Sequence, residues 1–498
     1  MSSGSERNNS ICLPAVLAIG FTGHRSLKNE AGLRRPIRDF LREQKSAFEG
    51  VVYGVSSAAA GGDQLFAESC LELEIPLRVL LPRPAEEFRE DFDDTQWQRT
   101  ERILKNAVSV EVSGGQQSRK EQFYDCGIQT VAESQLLVAL WDGEPSRGAG
   151  GTQEIVSYAE QTGHPVAWIH SETGELRMLN SDAVKQIENR SELDFLNGLP
   201  DAGVQLVAGS SRDLAQAWLQ KVDENATRFA PQARRVASIP IVYTAAAAVL
   251  SGVAPEIPAA APWLALSAVL GIVAIALPAA LRLHARQLRW ARTRTAAEIG
   301  RSVMAMWKTP APYEVIGAEV VAEFSGVLRS LNFLKMEDGR RNDASLDDFK
   351  QEYRRGRVAH QIDYFSRQAE RARRQKRWYG TAGWVFGGLA TVVAAGYLVT
   401  QTHWIEVREI PHHWIALTMA ALFEMATMAG AFAGMMDCAR RERRYSELSN
   451  RLRLWDRQID ALHTWTSVLQ VVERIERSLL VELFEWRSLV TGTASHRK

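Results

Sequence analysis

The sequence predicts an α/β domain with a doubly wound parallel sheet, followed by an all-helical membrane region with four transmembrane helices. Two observations support this fold class. The first 230 residues alternate short apolar runs with amphipathic stretches, whereas the rest of the chain contains four long apolar runs. Each long run has about 20 residues, enough to cross the roughly 30 Å of hydrocarbon in a bilayer. A chain of 498 residues is also long enough for several units.

Six apolar runs predict the strands of the sheet. They are short and nearly continuous, as expected for parallel strands that helices cover on both faces. The predicted strands are residues 15–21, 51–55, 77–81, 108–112, 136–141 and 166–169. The helical stretches between them are residues 29–48, 61–73, 84–104, 121–133 and 152–161. Residues 171–199 are less regular, and residues 204–207 and 211–229 are candidates for one more strand and helix.

Composition excludes several classes of partner. The chain has 59 basic and 59 acidic residues, so no overall field attracts nucleic acid, and we expect no nucleic-acid partner. Its four cysteines lie far apart and lack metal-binding spacing, so neither a metal site nor a disulfide framework is predicted. Free thiols indicate a reducing compartment. The polar amino terminus has no pattern of a cleavable signal peptide.

Polar and glycine-rich turns follow three of the predicted strands. In open α/β sheets the ligand binds beyond the carboxyl ends of the strands, so these turns predict one pocket. Glycine in such a turn allows close backbone approach, and the amide groups of the next helix can hold a phosphate. We therefore expect a nucleotide or a nucleotide-derived messenger as ligand, with no firm cofactor; ordinary tight turns are the alternative. The predicted ligand-binding residues are Thr22, Gly23, His24, Arg25, Ser57, Gly61, Gly62, Asp63, Asp142, Gly150, Gly151, Thr152 and Glu154.

Three of these side chains have alternative roles. His24 and Arg25 are candidates for binding phosphate or ribose, although His24 could instead cap its turn and Arg25 could be solvated. Glu154 could accept ribose hydroxyls or assist cleavage of a glycosidic bond. It could equally be a first-turn acid that the helix dipole favours. No firm catalytic residue is predicted, and Glu154 is the one candidate.

The four apolar runs predict two membrane hairpins. Their alternative is burial in a large soluble core. Arginine clusters follow the second run, precede the third and follow the fourth. By the positive-inside rule, both termini of this multi-pass protein are expected in the cytoplasm. The expected location is the inner membrane. The predicted domains are the ligand-binding domain 1–230, the first hairpin 231–285, a cytoplasmic helical segment 286–377, the second hairpin 378–436 and a carboxy-terminal cytoplasmic helix 437–498.

One acid lies inside the fourth apolar run. Glu424 is near the middle of that run, where a carboxyl group is costly and usually faces a bundle interior or a water-filled cavity. In a homo-oligomer, symmetry would repeat this acid around an axis, and a ring of acids favours cations in a pore. Glu424 is therefore the pore candidate. The alternative is a protonated side chain that bonds to a neighbouring helix.

The amino-terminal turns resemble the SLOG superfamily. The residues that carry this resemblance are Gly61, Gly62 and Asp63, followed downstream by Gly150, Gly151, Thr152, Gln153 and Glu154. This Rossmann-like group includes the LOG phosphoribohydrolases, related to DprA, and ligand sensors of bacterial defence systems. The LOG enzymes carry Pro-Gly-Gly-x-Gly-Thr-x-x-Glu. This chain lacks that proline and has a different glutamate spacing, so the resemblance, over about residues 15–169, implies ligand binding more than hydrolysis.

The helical region resembles SLATT domains, two-transmembrane modules that accompany SLOG sensors. The residues that carry this resemblance are Tyr353, Arg357, Gln361, Tyr364 and Arg371, together with Arg294, Thr295, Ala296, Ala297, Glu298 and Trp307. The resemblance covers about residues 234–490. It implies a non-enzymatic membrane effector whose cytosolic sensor controls a pore-forming or membrane-disrupting module in bacterial antiviral or conflict defence. The alternative is a membrane-tethered nucleotide N-glycoside hydrolase or transferase that uses Glu154 and Arg25.

Overall fold

The computed structural model of the chain forms two compact units. The first contains Met1–Lys221 and Ile299–Ala344, and the second contains Val222–Glu298 and Ser345–Lys498. The structure describes residues 11–113, 118–145, 151–183, 190–201, 203–205, 209–254, 259–280, 283–309, 322–339, 345–401 and 412–491. Gly150 and part of the candidate strand 204–207 lie outside these residues.

The first unit is built on a seven-stranded sheet with the order β4-β3-β2-β1-β5-β6-β7. Strands β1 to β6 are parallel, and β7 pairs with β6 in the antiparallel direction. The strands are β1 (Val16–Gly23), β2 (Val51–Ser56), β3 (Leu77–Leu81), β4 (Ser109–Val112), β5 (Leu136–Trp141), β6 (Val166–His170) and β7 (Leu176–Leu179). The prediction of a parallel α/β sheet is thus confirmed, and β7 is an addition to it.

Helices cover both faces of this sheet. Each helix packs on the sheet through apolar side chains at helical spacing. In α1, for example, Leu33, Ile37 and Phe40 are buried. Side chains also fix helix starts, as where Asn29 accepts the N–H of Gly32. The helices are α1 (Glu30–Ala47), α2 (Gly62–Glu72), α3 (Ala85–Phe88), α4 (Asp94–Asn106), α5 (Arg119–Glu133), α6 (Thr152–Gln161) and α7 (Ser191–Asn197).

One further helix on the sheet comes from a distant part of the sequence. It is α11 (Ser325–Gly339), which follows α8 (Ser211–Val253), α9 (Ala260–Ala280) and α10 (Leu283–Ala305) along the chain. Ser330 Oγ donates a hydrogen bond to the Pro14 carbonyl at 2.6 Å, and the Phe333 ring lies 5.7 Å from the Tyr53 ring. The first unit therefore contains chain from both sides of the first predicted hairpin.

The second unit is entirely helical where the structure describes it. After α11 come α12 (Leu346–Tyr353), a π-helical turn (Arg354–Val358), α13 (Ala359–Gln401), α14 (His412–Met435), α15 (Cys438–Ala461) and α16 (Trp465–Thr491). Helix α13 packs along α14 and α15. The predicted boundary between residues 230 and 231 lies inside α8, which is one continuous helix.

Among the described residues, three helices are long and apolar enough to cross a membrane. The candidate spans lie in Ala260–Leu277, Leu346–Val399 and Trp414–Ala461. The apolar helix Pro240–Gly252, in the first predicted span, is shorter than these three. Large apolar side chains on the spans are exposed, including Trp384 at 85% and Ile275 at 82%. Exposed apolar surface of this kind is typical of helices that contact lipid or other membrane helices.

Candidate functional site

The candidate site lies where the strand order of the sheet reverses. Strands β2 and β5 lie on opposite sides of β1, so a crevice opens beyond the carboxyl ends of β1 and β5. We call it the switch-point crevice. Thr22 and Gly23 end β1 beside Ala139 and Leu140 of β5.

His24 and Asp142 meet across this crevice. The backbone N–H of His24 donates to the Leu140 carbonyl at 3.1 Å, which fixes the turn after β1. Its Nε2 atom accepts the backbone N–H of Asp142 at 3.2 Å and lies 3.1 Å from Asp142 Oδ1. Burial alone would raise the pKa of Asp142, but the backbone N–H of Glu144 and the His24 ring lower it. The site thus keeps a charged carboxylate beside an imidazole.

The turn after β2 holds a buried acid. Asp63 is 6% exposed, and its Oδ1 accepts hydrogen bonds from Ser56 Oγ at 3.1 Å and Ser57 Oγ at 2.8 Å. Burial raises the pKa of Asp63 to about 6, although both serines and the charge of Arg25 act against this rise. The carboxyl group therefore changes charge close to neutral pH, where it can either accept or donate a hydrogen bond to a ligand hydroxyl.

Gly61 joins the turns after β1 and β2. Its φ is +82°, a conformation that side chains disfavour. A Cβ atom on Gly61 would lie 2.3 Å from the carbonyl oxygen of Arg25, and the N–H of Gly62 donates to the His24 carbonyl at 3.0 Å. The two predicted turns therefore touch through their backbones. This contact brings Asp63 to the same crevice as His24 and Arg25.

The third predicted turn leads into α6, which packs against β1, β5 and β6. Gly151 is the N-cap of α6, and its carbonyl accepts the backbone N–H of Glu154 at 3.0 Å. Thr152 is buried and the Glu154 side chain is partly exposed. The amino-terminal end of α6 therefore lies at the β1 and β5 side of the sheet.

Arg25 is accompanied by two arginines that are not among the ligand-binding residues predicted from the sequence. Although Arg25 is exposed overall, its guanidinium lies 4.3 Å from the centre of the Phe123 ring. Partial burial lowers the pKa of Arg25. The charge of Asp63 opposes this shift, whereas the charges of Arg119 and Arg83 add to it. We call Arg25, Arg83 and Arg119 the cationic cluster.

Arg83 and Arg119 share one buried acid. Arg83, itself 7% exposed, lies 2.8 Å from Asp91 Oδ2, and Arg119 also forms an ion pair with Asp91. Arg25 has no ion pair within the described part of the chain. Arg83 directly follows β3 and Arg119 begins α5 after β4, so the rule that ligands bind beyond strand ends would have found both.

No protein-family model and no curated protein matches this chain. The geometry itself shows what the crevice can do. The turns after β1, β2 and β5 bring to one edge of the sheet an exposed guanidinium, a buried acid whose pKa is raised to about 6, and an imidazole beside a carboxylate. Arginine and backbone N–H groups bind phosphate, whereas carboxylates accept hydrogen bonds from sugar hydroxyls.

Proposed function

We propose that this protein is a membrane effector in which a nucleotide-derived ligand of the α/β unit controls a pore-forming or membrane-disrupting helical module. The observation that carries the proposal is that one chain contains both a crevice suited to phosphate and helices that are continuous from polar stems into apolar spans. Helix α13, for example, has 43 residues and includes an arginine-rich first half and an apolar second half. A rigid helix of this kind transmits a movement of its stem directly to its span.

Contacts between the two SLATT-like motifs support this assignment. Arg294 donates to the Tyr364 hydroxyl at 3.0 Å, and Arg357 forms an ion pair with Glu298 at 2.9 Å. Gln361 also donates to Glu298, at 3.4 Å. Residues of the motif after the first hairpin thus contact residues of the motif before the second. We infer that both motifs belong to one module, and that the protein acts in bacterial antiviral or conflict defence.

The composition of the first unit supports four spans with both termini in the cytoplasm. The chain leaves this unit after Lys221 and re-enters it at Ile299. A folded α/β unit lies on one side of a bilayer, so the chain between these residues must cross an even number of times. Helix α9 crosses once. The apolar helix Pro240–Gly252, extended by the apolar residues before it, then supplies the second crossing.

Reporter fusions distinguish this topology from one with three spans. With four spans, we expect fusions after Ala254 and after Gln401 to report the periplasm and a fusion after Lys498 to report the cytoplasm. The arginine clusters at the other ends of the spans hold this orientation. Paired alkaline phosphatase and fluorescent-protein fusions provide the measurement. A cytoplasmic report from the Ala254 fusion would contradict the crossing of Pro240–Gly252.

Glu424 supports a homo-oligomeric pore. It is partly exposed in α14 and has no hydrogen bond or ion pair with the described residues of its own chain. A carboxyl group at this depth needs a polar partner or water. Further copies of the chain, arranged around an axis, would supply both and would place a ring of acids along a conducting path.

The experiment that tests the proposed function is ion flux through liposomes that contain the full-length protein. We expect flux only when a nucleotide from a panel of mono-, di- and cyclic nucleotides is added. Glu424→Gln should keep assembly but reduce cation preference several-fold, because it removes the acid ring. Glu447→Gln, the same change at an exposed position of α15, should leave selectivity unchanged. Release of free base without flux would instead support the alternative of an N-glycoside hydrolase.

A further inference from the structure

Three aromatic rings lie at the carboxyl ends of β5 and β6. The rings of Trp141 and Trp168 are 5.4 Å apart, with 41° between their planes. The ring of His170 is 6.2 Å from that of Trp168. All three residues are partly exposed. We call Trp141, Trp168 and His170 the aromatic ledge. None of the three is among the ligand-binding residues that the sequence predicts.

The ledge is held in place by hydrogen bonds and strand pairing. Trp141 Nε1 donates to the Glu144 carbonyl at 2.9 Å, and Trp168 Nε1 donates to the Trp141 carbonyl at 3.0 Å. Trp141 pairs with His170, and Ala139 pairs with Trp168, so the three rings lie on one face of the sheet. Both indole N–H groups are already bonded, and the Arg177 guanidinium lies 5.8 Å from the centre of the Trp168 ring. The exposed part of the two tryptophans therefore offers ring surface, next to a positive charge. Such surfaces bind by stacking.

The ledge and the cationic cluster lie on opposite sides of the switch point. Arg25 follows β1, and Arg83 follows β3 on the far side of β2. Trp141 and His170 end β5 and β6, on the other side of β1, and Trp168 precedes His170 by two positions within β6. From β1 to β6 is two strand spacings, about 10 Å. His24 and Asp142, in contact at the switch point, occupy the interval between the two groups.

Along this sheet edge an arginine is followed by carboxylates and then by aromatic rings. Phosphate, sugar and base follow one another in the same order in a nucleotide. We infer that the ligand lies across the carboxyl edge of the sheet, with its phosphate at Arg25 and its heterocyclic base stacked on Trp141 and Trp168. The sugar then lies near Asp142 and Asp63, which accept hydrogen bonds from hydroxyls. Base recognition on the ledge is stacking rather than hydrogen bonding, so it depends mainly on ring area. This inference rests on the proposed nucleotide ligand and specifies its orientation.

Titration of full-length protein in detergent tests the inference. AMP, GMP, UMP, NAD⁺ and ADP-ribose are each compared with ribose 5-phosphate, which has the phosphate and the sugar but no base. We expect the best nucleotide to bind roughly ten-fold or more tightly than ribose 5-phosphate, as one stacked base provides. Trp168→Leu should abolish this preference and leave ribose 5-phosphate affinity unchanged. Trp168→Phe keeps a smaller ring and should retain part of the preference for the nucleotide. If the leucine variant does not fold, the phenylalanine variant decides the test.

The outcomes separate the two proposals. Trp97→Leu is the matched control, because Trp97 belongs to α4 of the same unit and packs on Phe92, 5.5 Å away. This variant should keep the full preference. Equal affinities for nucleotides and ribose 5-phosphate would contradict base stacking on the ledge. A sugar phosphate would then remain as the ligand of the proposed effector. A preference that survives in both Trp168 variants would also overturn it. Binding of no compound in the panel would overturn both the ledge and the proposed nucleotide ligand.

Discussion

Replacement of Arg357 by methionine is expected to destabilise the helical unit by about 3–5 kcal/mol, the usual cost of removing one partner from a buried ion pair. Arg357 is 6% exposed and Glu476 is fully buried. The guanidinium donates to both carboxylate oxygens of Glu476, at 3.0 and 2.8 Å. Methionine fills a similar volume but leaves the Glu476 charge without its cation. The destabilisation follows from that uncompensated charge.

The position of Arg357 makes this a functional prediction as well. Tyr353 donates a further hydrogen bond to Glu476 at 2.8 Å, and Glu298 lies 2.9 Å from Nη2 of Arg357, the atom that also bonds Glu476. Burial alone would lower the pKa of Arg357, but the two carboxylates raise it well above its usual value. The cluster thus joins α10, the π-helical turn before α13, and α16. Because π-helical turns often occur at functional sites, we expect loss of the cluster to impair the membrane function that we propose.

Two variants serve to interpret the Arg357→Met measurement. Arg354→Met removes an arginine from the same turn, but its partner Asp456 is 27% exposed and Arg354 is 29% exposed. We therefore expect an effect below about 1 kcal/mol. The double variant Arg357→Met, Glu476→Leu removes both charges and should recover most of the loss. Thermal unfolding in detergent and hydrogen exchange of α16 provide the readouts. Equal losses for Arg354→Met and Arg357→Met would contradict the buried-pair argument.

The strands could be predicted because burial on both faces leaves a simple pattern. Leu77–Leu81, for example, is buried at every position, and its sequence is apolar except for Arg78. Strand β7 was not predicted, because it is not buried on both faces. It is a short edge strand with Leu176 and Met178 exposed, so its composition does not differ from that of a loop.

Other features depend on contacts between distant residues. The helix α11 joins the sheet through pairs such as Ser330 and Pro14, which are 316 positions apart in the chain, and periodicity alone does not show which surface an amphipathic helix covers. The cationic cluster is similar. Arg83 and Arg119 each follow a strand in the sequence, but their shared contact with Asp91 is visible only in the fold.

The candidate membrane helices could be predicted more easily, because the length of an apolar run is a local property of the sequence. The spans in α9, α13 and α14 follow from hydropathy. The first apolar run is the exception, because its apolar helix, Pro240–Gly252, is shorter than the three candidate spans. There, the topology that we propose adds a constraint that hydropathy lacks, because it requires an even number of crossings between Lys221 and Ile299.

Gly61→Ala is expected to remove nucleotide binding and to destabilise the α/β unit. An L-residue at a φ of +82° is strained by about 1–3 kcal/mol. The added Cβ atom would also lie 2.3 Å from the Arg25 carbonyl oxygen and 2.6 Å from that of His24. Both atoms belong to the backbone of the turn after β1, so relief of the clash must move this turn away from α2. That movement separates Arg25 from Asp63 and opens the crevice.

Gly163→Ala separates the effect of strain from the effect of the clash. Gly163 has a φ of +71°, and a Cβ atom there would meet nothing within 4 Å. Its substitution therefore measures the backbone strain alone and should leave binding intact. We expect Gly61→Ala to lower the melting temperature more than Gly163→Ala and to be the only one of the two that abolishes the nucleotide-induced rise in melting temperature. If both variants behave alike, the close approach of Gly61 to the turn after β1 does not shape the binding site.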